Sequence, residues 1–354
     1  MKKKIAIIGS VGLPASYGGW ETLVNFLTEE LSADYDITVY CSGKKYDERL
    51  DSFNGARLEY VELDANGAQS IPYDIVSMWR ARHHDTTLVL GVSGCMALPF
   101  FKLFTRPKYV VNPDGIEWRR EKWGTLAKAV LKLSEAIAVK WGDVIVSDNV
   151  GIQDYIREAY GRESVFIPYG ADHVEKTALK VRGTNPLGRP YAFKVARIEP
   201  ENNVHTILAA FARQTKFDLV IIGNWANSEY GKRLKEDYSK YEHIHLFNPI
   251  YDSNELNKYR ANAAIYVHGH SAGGTNPSLV EAMYLGLPIL AKNVNYNVKT
   301  TDGAAIYFDD EESLVSAVET LDTERLADMA SRLKQIAERD YVWSRVAQSY
   351  AQLF

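Results

Sequence analysis

Cysteine is scarce: two residues in a chain of 354 leave no room for a disulfide framework. Cys41 and Cys95 lie far apart in apolar surroundings and read as buried free thiols of a cytosolic protein, neither bridged nor metal-bound. Long apolar runs are missing too. No stretch reaches the roughly 18 apolar residues of a membrane-spanning helix. The opening Met-Lys-Lys-Lys-Ile-Ala-Ile-Ile-Gly holds an apolar run of four residues, too short for the h-region of a signal peptide. Positive charge is not in excess, since 41 Lys and Arg stand against 45 Asp and Glu for a net charge of −4, which argues against nucleic acid as the main partner. Repeats and low-complexity segments are also absent. What is present, 46% hydrophobic and 24% charged residues, matches a soluble globular protein. The length exceeds that at which one core keeps growing, so two domains are expected.

Short β-branched runs alternate with amphipathic segments, the pattern of parallel α/β layers. Strands are expected at residues 5–8, 37–41, 58–63, 87–90, 109–111, 144–146 and 165–168, with a helix over 21–31. Leu126, Val130, Leu133 and Ile137 recur at helical spacing and mark another helix. Residues 172–190 lose periodicity, gather Lys, Arg, Gly, Asn and Pro, and read as a linker. A second series follows, with strands at 192–195, 219–222, 244–247, 264–267, 289–290 and 305–308. The fold class is α/β, with two doubly wound Rossmann-like domains facing across a cleft and ligand expected outside the carboxyl ends of their strands.

The segment Tyr266-Val-His-Gly-His-Ser-Ala-Gly-Gly-Thr-Asn-Pro-Ser-Leu-Val-Glu-Ala-Met carries the chemistry. It reads as a buried strand, a glycine-rich turn over 269–276, and a helix opening at Pro277, whose missing N–H suits a first helical position. Ser278 adds a polar group to the first turn. A helix N-terminus behind glycines is an anion site. Glu281, one turn further, would repel a bare phosphate but can accept hydrogen bonds from a pentose. The combination asks for a nucleotide. Upstream, Val195-Ala-Arg197-Ile-Glu199-Pro-Glu201-Asn-Asn203 leaves a strand, and Arg197 there can hold a diphosphate; its bland alternative is an ion pair with Glu199 or Glu201.

Other patterns exclude more than they assign. The first loop, Gly9-Ser-Val-Gly12 to Gly18-Gly19-Trp-Glu21, lacks the G-x-G-x-x-G spacing and the acid at the end of the second strand, which argues against a nicotinamide dehydrogenase. Gly18 and Gly19 either make a tight turn or offer N–H groups to a diphosphate. His268 and His270 share a face but have no third ligand nearby, so they read as hydrogen-bonded within the turn, with no metal site. Asp34-Tyr-Asp36 precedes a strand and reads as a solvated turn.

With the Gly18-Gly19-Trp-Glu21 loop, Arg197 and the Glu281 helix, the chain resembles the retaining family 4 glycosyltransferases of GT-B fold. Arg197-Ile-Glu-Pro-Glu-Asn-Asn203, His268-Gly-His-Ser-Ala-Gly-Gly-Thr-Asn-Pro-Ser-Leu-Val-Glu-Ala-Met283 and Asn112-Pro-Asp-Gly-Ile-Glu-Trp-Arg-Arg-Glu-Lys-Trp123 resemble more narrowly the bacterial rhamnosyltransferase-type subgroup. The resemblance implies transfer of a sugar, L-rhamnose from dTDP-rhamnose, to a saccharide acceptor in synthesis of capsule, O-antigen or other surface polysaccharide. It implies an acceptor-side domain at 1–171, the linker at 172–190, a nucleotide-sugar domain at 191–338, and a closing helix at 339–354 that returns to the first domain. No cofactor or metal is implied.

Donor binding falls by resemblance to Gly18, Gly19, Arg197, Asn203, His268, Gly274, Thr275, Asn276, Ser278 and Glu281. Arg197, Asp114 and Glu281 take the catalytic positions, and Asp114, Glu117 and Trp118 the acceptor side. For Asp114 the alternative is an Asx turn closing Asn112-Pro-Asp-Gly. Two departures stand out: Gly273 occupies the position of the first glutamate of the E-x7-E pair, and Asn203 a position where the broad pattern sets a lysine. An epimerase of sugar nucleotides or a non-catalytic carbohydrate-binding protein could use the same shell. Finally, residues 100–140 hold nine basic residues (102, 106, 108, 119, 120, 122, 128, 132, 140) against four acidic (114, 117, 121, 135), interleaved with Phe100, Phe101, Phe104, Trp118 and Trp123. That mixture suits an anionic membrane surface bearing a lipid-diphosphate-linked acceptor, and with it a cytoplasmic protein in peripheral contact with the inner face of the plasma membrane.

Overall fold

A computed structural model describes residues 2–15, 18–119 and 124–354. Arg120, Glu121, Lys122 and Trp123 of the third motif therefore lie outside the described residues. The chain forms two compact units, Met1–Pro168 together with Trp343–Phe354, and Tyr169–Val342.

The first unit runs β1 (Lys4–Ile8), α1 (Gly19–Leu31), β2 (Asp36–Ser42), β3 (Ser52–Phe53), β4 (Ala56–Val61), α2 (Ser70–Arg80), β5 (Thr86–Leu90), α3 (Leu98–Phe104), β6 (Lys108–Asn112), α4 (Thr125–Trp141), β7 (Val144–Ser147), α5 (Val150–Tyr160) and β8 (Val165–Phe166). Its sheet has the order β3-β4-β2-β1-β5-β6-β7-β8, parallel except where β3 meets β4. The central strands are buried along almost their whole length, which is why they read as continuous apolar runs without alternation. Gly9 allows the chain to leave β1 against its neighbour: at φ +92°, a Cβ there would lie 2.0 Å from the Leu90 carbonyl oxygen.

The second unit runs α6 (His173–Val181), β9 (Tyr191–Val195), α7 (Val204–Ala212), β10 (Asp218–Ile222), α8 (Glu229–Tyr238), β11 (Ile244–Phe247), α9 (Ser253–Arg260), β12 (Ile265–His268), α10 (Pro277–Tyr284), β13 (Ile289–Lys292), α11 (Asn295–Thr300), β14 (Ile306–Phe308), α12 (Glu311–Glu319) and α13 (Thr323–Asp340). Its all-parallel sheet has the order β11-β10-β9-β12-β13-β14. Ala192, Ile207, Leu219, Ile221, Ile265 and Val267 pack in its core. The strand order reverses direction between β9 and β12, which makes their carboxyl ends the switch point at which such sheets bind ligands. The last helix, α14 (Trp343–Ala351), belongs to the first unit: Trp343 stacks on Phe26 with ring centroids 4.5 Å apart, and the Tyr350 hydroxyl accepts from Asn112 Nδ2 at 3.0 Å.

One expectation needs correction. Residues 172–190 are not an unstructured linker, because α6 occupies their first half; its Val174 and Ala178 are buried, and Asn257 of α9 donates to Thr177. The helix expected from the repeat at 126, 130, 133 and 137 is present as α4, with Val130 and Ile137 half-buried. Leu126 and Leu133 are exposed, and the buried side is Ser134, Glu135, Ala138 and Val139. No helix among the described residues is long and apolar enough to cross a membrane.

Candidate functional site

At the switch point of the second unit, two loops are sewn together by side-chain amides. The loop after β9 carries Arg197 to Asn203, and the loop after β12 carries Gly269 to Asn276. Asn203 adopts a left-handed φ of 48°, a conformation that asparagine tolerates better than most residues. Its Nδ2 donates to the Gly269 carbonyl at 2.8 Å and to Ser271 Oγ at 3.2 Å. Asn202 Nδ2 donates to the Arg197 carbonyl at 2.9 Å, and its Oδ1 lies 3.0 Å from His270 Nδ1. The Ser271 N–H and hydroxyl both donate to the Glu201 carbonyl, at 2.9 and 3.0 Å. Gly269 has to be glycine for this approach, since a Cβ there would sit 2.3 Å from the Asn202 carbonyl oxygen.

Beyond these ties the turn is open backbone. Gly273 and Gly274 both have positive φ, 25° and 77°, and among the described residues no acceptor meets their N–H groups. Consecutive free N–H groups beside a helix N-terminus form a concavity for an anion. Thr275 is buried. Asn276 caps α10 by accepting from the Ser278 N–H at 3.1 Å, with Pro277 in the first turn. The Ser278 hydroxyl donates to Asn276 Oδ1 at 2.7 Å and accepts from Tyr266 at 2.8 Å.

Glu281 is held more firmly than its sequence suggests. Arg260 Nη2 of α9 lies 2.8 Å from one carboxylate oxygen, and His173 Nε2 of α6 lies 3.3 Å from the other. Burial pushes the carboxyl pKa up, but the Arg260 charge and the His173 contact outweigh it and hold the group below its ordinary value. Each oxygen keeps a lone pair beyond these contacts, so the carboxylate is fixed in place and can still accept a hydroxyl. Arg260 and His173 escaped the sequence reading, since no motif surrounds either. The only signal was a lone arginine ending a polar helix.

Arg197 is half exposed, with its Nε 3.7 Å from Glu199 Oε2, so the expected ion pair with Glu199 exists at long range and leaves the guanidinium open. The two histidines part company. His270 makes the expected hydrogen bond, but His268 is 1% exposed and, among the described residues, neither ring nitrogen has a partner. Burial, with help from Lys194 and His270, drives the His268 pKa well down and keeps the ring neutral. Hydrogen bonding of His268 within the turn is thus corrected. Lys194 is buried equally deeply, and burial lowers its pKa to about 7.

In the first unit, Gly18 (φ 147°) and Gly19 open α1. A Cβ on Gly18 would lie 1.8 Å from Glu21 Oε2, so the glycine makes room for a carboxylate. Glu21 is buried and accepts from the Val11 N–H at 2.7 Å, and burial raises its pKa. After β6, Asp114 has a left-handed φ of 71°. The Asx turn there is made by Asn112, whose Oδ1 accepts from the Asp114 N–H at 3.2 Å. Glu117 opens a short 3-10 turn, Glu117–Arg119. Trp118 donates to the Tyr155 hydroxyl at 3.3 Å, with Lys132 Nζ 4.7 Å from its ring. Among the described residues no group of three or more His, Cys, Asp or Glu gathers as metal ligands would.

Comparison with known proteins points the same way. The family described as "Glycosyl transferases group 1" matches residues 175–340, and a domain of unknown function, DUF1972, matches residues 2–172. Among solved structures, the chain is similar to sucrose-phosphate synthase from Thermosynechococcus elongatus, with a TM-score of 0.84, 15% identity, and 99% of this chain and 98% of that one covered. It is similar to Anabaena HepE in complex with UDP-glucose, with a TM-score of 0.77, 15% identity and coverage of 100% and 99%. The catalytic domain of starch synthase IV from Arabidopsis thaliana, bound to ADP and acarbose, gives 0.73, 12%, 99% and 98%. No curated protein sequence matches. The fold is GT-B, and the domain matched over residues 175–340 supports a glycosyltransferase. The chain's second half is a glycosyl transferases group 1 domain, joined to a first half of the DUF1972 type.

Proposed function

We propose that the protein is a retaining family 4 glycosyltransferase of the rhamnosyltransferase type, moving L-rhamnose from dTDP-rhamnose to a saccharide acceptor of a bacterial surface polysaccharide. The observation that carries the nucleotide-sugar reading is the turn between β12 and α10, where the free N–H groups of Gly273 and Gly274 stand before a helix that fixes the Glu281 carboxylate one turn on. The N–H groups and Arg197 would hold the diphosphate, and Glu281 the pentose, through its 3′-hydroxyl when that sugar is deoxyribose. HepE, which has the same fold, was solved with UDP-glucose.

In this reading the acceptor hydroxyl attacks the anomeric carbon from the face that the diphosphate leaves. A glycosidic C–O bond forms, the C–O bond to phosphate breaks, and the hydroxyl proton passes to the departing diphosphate. Arg197 stabilises the charge that grows on that group. Asp114, Glu117 and Trp118 serve the acceptor side. The acceptor is a saccharide on a lipid diphosphate, and no divalent metal is needed.

Thermal shift against a panel of nucleoside diphosphates tests the donor reading. Binding to the native state stabilises by mass action, about 2.7 kcal/mol at a hundredfold excess over Kd, so dTDP is expected to raise the melting temperature most. If no nucleoside diphosphate moves it, the reading fails. If UDP or GDP moves it further than dTDP, the rhamnose assignment fails alone.

A further inference from the structure

Strand β6 ends on Asn112-Pro-Asp-Gly, a run in which each residue constrains the next. Pro113 fixes its own φ and keeps Asn112 extended. Asp114 then enters the left-handed region at φ 71°, a conformation that costs energy and persists only where neighbours enforce it. The enforcing group is the Asn112 side chain, whose Oδ1 accepts from the Asp114 N–H at 3.2 Å. Gly115 and Ile116 follow, both buried, and the 3-10 turn Glu117–Arg119 begins. The direction taken at Asp114 therefore sets where Glu117 and Trp118 start.

The Asn112 amide has a second end. Asn112 is 1% exposed, so both ends of its amide need partners within the protein. A backbone N–H can only donate, which turns Oδ1 towards Asp114 and Nδ2 the other way. There Nδ2 donates to the Tyr350 hydroxyl of α14 at 3.0 Å, across 238 residues of sequence. Tyr350 is buried as deeply, and burial raises its hydroxyl pKa, so the group stays a neutral phenol at physiological pH. Helix α14 is seated by other contacts. Trp343 stacks on Phe26, Tyr35 donates to the Ala351 carbonyl at 3.3 Å, and Phe354 meets the Tyr35 ring edge to face with centroids 5.7 Å apart. The hydroxyl is thus a stop on a helix fixed elsewhere, and the amide is set against it. A flipped amide would point Nδ2 at the Asp114 N–H, donor against donor, and release the turn. We propose that Tyr350 is a positioning residue of the acceptor side, acting through Asn112 on the conformation of Asp114. The role assigned to Tyr350 rests on the reading of Asp114, Glu117 and Trp118 as acceptor-side groups, whereas the hydrogen-bond relay does not.

Two measurements on the full chain test it. Tyr350→Phe keeps the ring and removes the hydroxyl, and Asn112→Ala removes the link while keeping Tyr350. By hydrogen exchange and mass spectrometry, deuterium uptake over residues 112–119 is expected to rise in both variants, while the peptides of α14 keep the uptake of the parent. Kinetics follow, with dTDP-rhamnose as donor and octyl glycosides as acceptors. Tyr350→Phe should lower kcat/KM for the acceptor about tenfold, as loss of one buried hydrogen bond would, and leave KM for the donor unchanged. In an Asn112→Ala background the same substitution should add almost nothing, because its effect passes through that amide. Three results overturn the proposal: unchanged uptake over 112–119 in Tyr350→Phe, acceptor and donor parameters that fall together, or a Tyr350→Phe loss that is undiminished in Asn112→Ala. A parent that transfers rhamnose to none of these acceptors counts against the proposed function alone, and uptake over 112–119 then decides whether Tyr350 sets Asp114.

Discussion

Replacing Arg260 with Met removes the cation 2.8 Å from Glu281 while keeping much of the bulk of the stem. The two side chains are 7% and 13% exposed, so water cannot substitute. At an effective dielectric of about 20, the attraction at this separation is on the order of 6 kcal/mol. Desolvation of both ions offsets much of that, and the net worth of the pair is small. The cost of breaking it is not, because the carboxylate stays behind. The variant should lose about 3–5 kcal/mol at pH 7, towards the lower figure because His173 remains 3.3 Å away.

The pH dependence is diagnostic. In the parent the Glu281 pKa is depressed, so its stabilisation is complete above the unfolded value of about 4.3 and is lost as pH falls through the lower folded value. In Arg260→Met burial prevails, the carboxyl titrates above its ordinary range, and the deficit should shrink as pH is lowered from 7 towards 5. Urea unfolding of the parent, Arg260→Met, Glu281→Gln and the double variant measures both effects. A coupling energy above about 2 kcal/mol is expected from the cycle. Coupling under about 0.5 kcal/mol, or a deficit that does not change with pH, would refute the reasoning.

Three further outcomes are expected. Arg197→Ala should lower turnover more than donor affinity, whereas Glu281→Gln should weaken donor binding by about 1.5–3 kcal/mol; a Glu281→Gln variant that binds donor normally but is inert would place Glu281 at the reacting centre. Turnover should survive EDTA, and loss restored by manganese or magnesium would count against charge neutralisation by Arg197 and backbone N–H groups. Lys194→Met should be more stable than the parent at pH 8, because a folded lysine pKa lowered to about 7 costs stability below the unfolded value of about 10.4. The gap should close as pH approaches that value, and a gap constant with pH would be inconsistent with a titrating Lys194.

What the sequence made legible is what local rules govern. The β12 strand, the glycine turn and α10 follow from an apolar run, two adjacent glycines, an asparagine cap and Pro277, all within one stretch. Each strand expected from its β-branched run is present, while the two-residue β3 left no periodic trace. Residues 172–190 misled because α6 buries only Val174 and Ala178, too few positions for a period to show. In α4 the period was legible and the side it buries was not, since nothing local says that Ser134 and Glu135 will find partners inward and leave Leu126 and Leu133 outside. The clamp on Glu281 was invisible for a similar reason. Its members come from three helices and meet only when the second sheet has formed.

Asn203 shows how a departure from a familiar pattern can be settled by backbone geometry. A lysine at this position would have to adopt φ 48°, which costs a long side chain more than it costs asparagine. It would also lack the short amide that reaches the Gly269 carbonyl and Ser271 Oγ. Without that amide, the turn bearing Gly273 and Gly274 would lose one of its ties to the loop after β9 and be held less firmly. In the proposed function the missing cation is exchanged for an array of N–H dipoles, with the Arg197 side chain half exposed. The same logic fits Gly273. A side chain at its φ of 25° would strain the backbone, and a carboxylate there would stand among the N–H groups to which the proposed function assigns the diphosphate.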